Sequence, residues 1–294
     1  LLGETSILTE GRLWNLENFT ALDKYFVQNL DEGEGDFYGK LEGQLAGAPA
    51  EAKKLAAEIF WVMFLFPSQG SMSSDTKRRH IRRVWEWSGE PLPDSSKRLN
   101  EPLDSGIGHP GTAFHTHRWR EFLWFILAMC EWFSFGSERR EELLSDPWQM
   151  ASWIESTPEA KGRQMRHVLL HLLYPEFFER MSTASHKREL IREFAQVAEI
   201  DPGHVDPSDR IKLDRQILQI RQALVKEHGD NFDFYEPGIR AQWDHRSVAE
   251  DETIGSLVSA DDESGLQAWY HDRFGGARIW GIRPGTAGQL WPEF

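Results

Sequence analysis

The residues with most chemistry to offer are a basic run, a set of histidines and one cysteine. Lys77, Arg78, Arg79, Arg82 and Arg83, with His80 among them, fall within a single helical stretch, and Trp85 and Trp87 come just after. Lys97 and Arg98 lie in the next segment. Cationic side chains neutralise phosphates and aromatic faces stack bases, so this cluster is a candidate nucleic-acid contact. Lys187 and Arg188, beside His186 and flanked by Arg180 and Arg192, form a second and smaller candidate. The plainer alternative for both is a solvated face paired with acids elsewhere. His115 and His117, with His109 nearby, could offer metal ligands from an extended segment, where alternate residues point the same way. No acidic or cysteine ligand accompanies them at a recognisable spacing. His167 and His171 lie four apart and share a helix face, but Val168 stands where a zincin needs its glutamate.

Several chemistries are absent by motif. No phosphate-binding loop of the G-x-x-x-x-G-K-[ST] type occurs, and Gly275, Gly276, Gly281, Gly285 and Gly288 lack the required lysine. No G-x-S-x-G elbow is present. Cys130 sits mid-helix among aromatic residues, where a thiolate is poorly stabilised, so it reads as a small core residue. As the sole cysteine it excludes an intrachain disulfide and a cysteine-based zinc cluster. The catalytic set is therefore none, the metal set is none, and no cofactor is expected in this chain.

The elements that position these residues read as helices. Helices are expected from Phe19 to Leu30, Phe37 to Leu45, Pro49 to Phe66 and Asp75 to Trp87. Residues 88–117, dense in glycine, proline and serine, read as one long loop. Arg118 to Phe135 is apolar all round and should be a central helix. Asp146 and Pro147 start a short helix through Ile154, further helices span Lys161 to Tyr174 and His186 to Ala198, and the segment Asp206-Pro207-Ser208-Asp209 starts one that runs to His228. The expected fold is all-α: a helical domain over 1–245, in two lobes (1–87 and 118–245) joined by the 88–117 loop. An acidic linker at 246–277 and a strand-like tail at 278–294 complete the expected order.

The net charge of −14 repels nucleic acid and anionic membranes on average. Six of those charges, Glu250, Asp251, Glu252, Asp261, Asp262 and Glu263, fall between Val248 and Gly265, where no lysine or arginine occurs, so the rest is less acidic than the total. The longest apolar run, Ile59 to Phe66, is too short to span a bilayer, which needs about 20 residues. No secretory signal is visible, and with the single cysteine this favours a cytoplasmic location and no membrane partner. The chain opens on Leu1 without an initiator methionine, which suggests a processed chain or a piece of a longer one.

The segment Val168-Leu-Leu-His-Leu-Leu-Tyr-Pro-Glu-Phe-Phe-Glu-Arg180, with Ser182, His186-Lys187 and Ile191 to Phe194, resembles a region upstream of the motor in McrB-like AAA+ proteins of modification-dependent restriction. Ile217 to Leu224, Phe232 to Tyr235 and Trp243 are similar to the stretch that comes next in those proteins. Arg278 to Gly285, with Leu290-Trp291 and Glu293-Phe294, resembles the opening of an EVE-like module. The resemblance implies a non-catalytic N-terminal recognition or assembly region of an NTP-driven restriction protein. Its implied partners are DNA or a McrC-like nuclease subunit. The parent's nucleoside triphosphate, magnesium and oligomerising motor would lie outside this chain. Two alternatives stand beside it: a protein–protein scaffold without DNA binding, suggested by the acidity and the many tryptophans, and a metal-dependent enzyme using His109, His115 and His117.

Overall fold

The computed structural model describes residues 3–31, 36–93, 97–201, 206 and 208–245. These residues form an all-α fold, with isolated bridges such as Thr5 to Arg12 as the β pairing among them. The expected acidic linker and strand-like tail lie outside the described residues.

Three of the first four helices open on a side-chain cap. Asn15 caps α1 (Leu16–Tyr25) by accepting from the Asn18 amide, and a 3-10 turn (Val27–Asn29) continues it. Asp36 caps α2 (Phe37–Gln44) through the Gly39 amide. α3 (Ala50–Phe64) starts just after Pro49, and Leu55, Ala56, Ile59, Phe60, Met63 and Phe64 are buried along it. Ser73 caps α4 (Ser74–Glu86) through the Thr76 amide. These side-chain acceptors satisfy amides that the helix leaves open at its start, each contributing about 1 kcal/mol.

The 88–117 segment departs from the expected loop. It holds α5 (Lys97–Ser105), with Pro102 inside it, and the short α6 (Thr112–Thr116). Gly106 permits the sharp return between them. Its φ is +68°, and a Cβ there would lie 2.1 Å from the Pro67 carbonyl oxygen. Ile107 and Gly108 amides both donate to the Phe66 carbonyl at 2.8 Å, and the Ser68 amide donates back to Gly108 at 2.8 Å. The segment is thus stitched to the α3–α4 connection.

α7 (Arg118–Ser134) runs centrally, with Phe122, Trp124, Phe125, Ile126, Met129 and Trp132 buried. α8 (Ser137–Ser145) is polar and buries Leu143. Asp146 caps α9 (Pro147–Ser156) with two amides. α10 (Met165–Leu173), α11 (Ala184–Phe194) with a 3-10 turn (Ala195–Ala198), α12 (Arg210–His228) and α13 (Pro237–Trp243) complete the described chain. No described helix is long and apolar enough to cross a membrane.

Two hydrophobic cores result. The larger gathers residues from Leu8 to Phe178, and the smaller gathers Met181 to Trp243. The division falls between Phe178 and Met181, whereas Leu92, Leu103 and Phe114 of the 88–117 segment pack into the larger core.

Candidate nucleic-acid interface

α4 sorts its basic residues by direction. Ile81, Val84 and Trp85 face the core, and Lys77, one turn before Ile81, shares that face. Lys77 is fully buried, and its ammonium donates to the Pro67 carbonyl at 2.5 Å and the Leu103 carbonyl at 3.1 Å. It ties the α3–α4 connection to α5 and has no surface to give a phosphate. This corrects its assignment as a nucleic-acid contact. Arg78 is turned onto α5: it donates to Asn100 Oδ1 at 2.9 Å and pairs with Asp104 and Asp75. Lys97 and Arg98 open α5, and their side chains lie outside the described residues.

Arg79, Arg82 and Arg83 are exposed, three and four positions apart, on one face of α4. Arg79 donates to Thr76 Oγ1 at 2.9 Å. Arg83 lies 3.6 Å from Glu42 and 3.9 Å from Asp36, both more than half exposed. Beneath them the His80 ring stacks on Tyr38 with centroids 4.3 Å apart and planes 11° apart. Burial, then the charges of Arg118, Arg79 and Arg83, hold His80 down to about 3, so its imidazole is neutral.

Arg118, at the start of α7, joins this face from a distant part of the sequence. It donates to the Tyr38 hydroxyl at 3.0 Å, and its guanidinium carbon lies 5.6 Å from the Tyr38 ring centre and 5.5 Å from that of Phe64. Sequence reasoning missed it because its partner is 80 residues away.

The second basic set does not form a surface. Lys187 is buried on α11, its ammonium bonded to Asp214 of α12 and 3.0 Å from His167 Nδ1 of α10. Its assignment as a nucleic-acid contact is likewise corrected. Burial pushes Lys187 below its ordinary range, while Asp214 pulls it back up. Arg188 is half-buried. Arg180 pairs with Asp233 at 2.5 Å and donates to the Ile107 carbonyl at 2.7 Å. His186 meets the Tyr235 hydroxyl at 2.8 Å.

The histidines are dispersed among structural partners. Among the described residues no three metal-ligating side chains gather. His115 Nε2 lies 2.7 Å from the hydroxyl of buried Ser71, a contact that sequence spacing gave no sign of. Burial holds His115 well below its ordinary range, so it is neutral. Its Nδ1 has no hydrogen-bond partner among the described residues, so the pair lacks the third group that orients the base beside an activated serine. His171 Nδ1 bonds to the Phe178 carbonyl at 2.7 Å, apart from His167. Cys130 is half-buried, and burial pushes its thiol up to about 12, far from a nucleophilic thiolate. An open hollow of about 450 Å³ between α8 and α9 has Arg215 lying 4.2 Å over Trp148, with Arg139 on its rim.

Lys77 also makes a pH prediction. Burial lowers it to about 8 from an ordinary 10.5. Between those values the unfolded chain holds the proton and the folded chain does not, so folding gains stability as pH rises from about 8 to 10.5. Urea unfolding at pH 7.5 and 9.5 should show the native chain gaining on a Lys77→Met variant at the higher pH. An unchanged difference between the two would contradict this.

Comparison with protein-family models, with curated proteins and with solved structures finds no match for this chain.

Proposed function

We propose that this chain is a non-catalytic recognition or assembly region of a McrB-like, NTP-driven DNA restriction protein, and that it contacts DNA through the exposed face of α4. The observation that carries the reading is the placement of Arg79, Arg82 and Arg83 on one exposed helix face in a chain of net charge −14. A cationic face on an acidic protein steers a polyanion to one place and repels it elsewhere. The resemblance of residues 168–194 to the region upstream of a McrB-like motor supplies the parent system. A cytoplasmic location and a nuclease partner go with it.

The scaffold alternative rests on the acidity and the many tryptophans. Of these, Trp85, Trp124, Trp132 and Trp243 are fully buried and serve the cores, whereas Trp61, Trp87, Trp119 and Trp148 are half-buried.

Fluorescence anisotropy with short duplex and single-stranded DNA, at salt from about 20 to 200 mM, tests the proposal. Binding should weaken steeply with salt. The double charge reversal Arg79→Glu with Arg82→Glu should cost on the order of a hundredfold at low salt, since each reversal replaces an attraction with a repulsion. The absence of binding to modified, unmodified or single-stranded DNA at low salt would favour the scaffold.

A further inference from the structure

We propose that Arg83 and Arg118, brought together on Tyr38 from α4 and α7, form a clamp for a single phosphate group. The inference rests on the DNA reading above and deepens it, naming the backbone phosphate as the recognised group and Arg118 as the residue that completes the site.

Tyr38 is the platform. It is 5% exposed, and His80 covers one face of its ring. The guanidinium carbons of Arg83 and Arg118 lie 5.5 and 5.6 Å from the ring centre, and the Tyr38 hydroxyl accepts from Arg118. Aromatic contact restricts two long side chains before any ligand arrives, which lowers the ordering cost of binding. The planar fork of each guanidinium suits phosphate oxygens.

The charge balance is incomplete. Several half-buried or buried arginines in this chain hold a carboxylate closely, among them Arg166 with Glu155 at 2.5 Å, Arg180 with Asp233 at 2.5 Å and Arg240 with Asp244 at 2.8 Å. Half-buried Arg140 and Arg163, like Arg118, instead keep a buried nitrogen without a hydrogen-bond partner among the described residues. Arg118 pairs with no carboxylate within 4.0 Å among the described residues, and its Nε is buried without a hydrogen-bond partner there. A partly desolvated guanidinium without a counter-charge is costly, and an arriving anion removes that cost. The acids near Arg83 stand beyond hydrogen-bonding distance and remain exposed, so a phosphate can displace them.

The test uses the whole chain and three proteins: native, Arg118→Gln and Arg118→Lys, each first compared by thermal melting. Short DNA is titrated by anisotropy across salt, and inorganic phosphate by calorimetry. Arg118→Gln should weaken DNA binding about tenfold and reduce the salt slope by about one, and Arg118→Lys should keep the slope while losing part of the affinity. If Arg118→Gln does not fold, the exposed Arg83→Gln variant carries the same expectation. Loss of phosphate binding in Arg118→Gln, in a chain that ignores DNA, would keep the clamp and assign it to free phosphate, while sinking the DNA reading. DNA binding that is lost in the Arg79/Arg82 double reversal yet unchanged in Arg118→Gln would overturn the clamp and leave the α4 reading standing. A native chain that binds neither DNA nor phosphate overturns both.

Discussion

Replacing Asp214 with alanine should destabilise this protein by roughly 3–5 kcal/mol, the usual cost of stranding one member of a buried ion pair. Asp214 and Lys187 are 5% and 2% exposed, and His167 beside them is 5% exposed. Without Asp214 the Lys187 ammonium keeps one neighbour that can accept, His167 Nδ1 at 3.0 Å. That histidine is itself crowded: Arg166 Nη2 stands 3.2 Å from its other nitrogen. A neutral imidazole has one acceptor nitrogen, so it cannot fully serve both cations. Burial, reinforced by Lys187, Arg166 and Arg210, keeps His167 far below its ordinary range, so it supplies no charge of its own. The position matters as well as the chemistry. His167 belongs to α10, which packs in the larger core, while Lys187 and Asp214 belong to helices of the smaller one. Nearby, Glu155 of α9 takes Arg166 at 2.5 Å and Arg210 of α12 at 3.7 Å. A polar seam thus joins the two cores where apolar packing is interrupted. The double variant Lys187→Met with Asp214→Leu should recover much of the loss, because removing both charges removes the desolvation cost. Urea unfolding of the four proteins gives the coupling. Single variants within about 1 kcal/mol of the native chain would show the pair to be idle.

Much of the architecture was legible because the strongest helices carry their own period and caps. Asp146-Pro147 marked the start of α9, and the apolar rows of α3, α7 and α12 marked buried helices. The omissions share a cause. α5 carries Pro102 and sits among turn residues, so composition pointed to a loop. α8 buries Leu143 and little else, which leaves no stripe to detect. The site was less legible, because a count of charges ignores direction. Lys77 precedes Ile81 by four and Val84 by seven, and Lys187 precedes Leu190 by three, Ile191 by four and Phe194 by seven. Both lysines therefore lie on apolar stripes, a signal present in the sequence that the grouping of basic residues obscured. Arg118 left no such signal, since Tyr38 and Phe64 meet it only after folding.

Glu58→Ala should produce an effect of similar size, by stranding donors where the seam variant strands a charge. Glu58 lies in the middle of α3, between Leu55 and Val62 on its inward side, and is fully buried. It has no cationic partner among the described residues; its carboxylate is held by donors from the chain's first described turn. Oε1 accepts from the Ser6 hydroxyl and, at 3.0 Å, from the Leu8 amide. Oε2 accepts from the Ile7 amide at 2.9 Å and the Trp14 indole at 2.6 Å. The turn is closed by its own bonds, Ser6 amide to Gly11 carbonyl at 2.6 Å and Trp14 amide to Glu4 carbonyl at 3.1 Å, but Glu58 is what fastens it to the core. Alanine removes the acceptor of four donors. The Leu8 amide keeps the Ser6 hydroxyl oxygen at 3.1 Å, and the Ile7 amide is part-buried. The buried Ser6 hydroxyl and Trp14 indole are left unmet, each costing about 1–3 kcal/mol unless water reaches it. Water reaches them if the turn lifts away, so the net loss should settle near 3–5 kcal/mol and begin as a local opening. Trp14, which packs edge-on against Phe19 at 5.7 Å and Phe125 at 6.1 Å, would be exposed by that opening. The expected observations are a melting temperature lower by roughly 6–15 °C, a red-shifted tryptophan emission before the main transition, and fast exchange of the Ile7 and Leu8 amides. Glu58→Gln should fall between, since its amide keeps one acceptor oxygen while its nitrogen faces donors. An alanine variant that melts with the native chain, with Ile7 and Leu8 still protected, would mean that apolar packing of Leu8, Leu13 and Trp14 holds the turn and the carboxylate merely accompanies it.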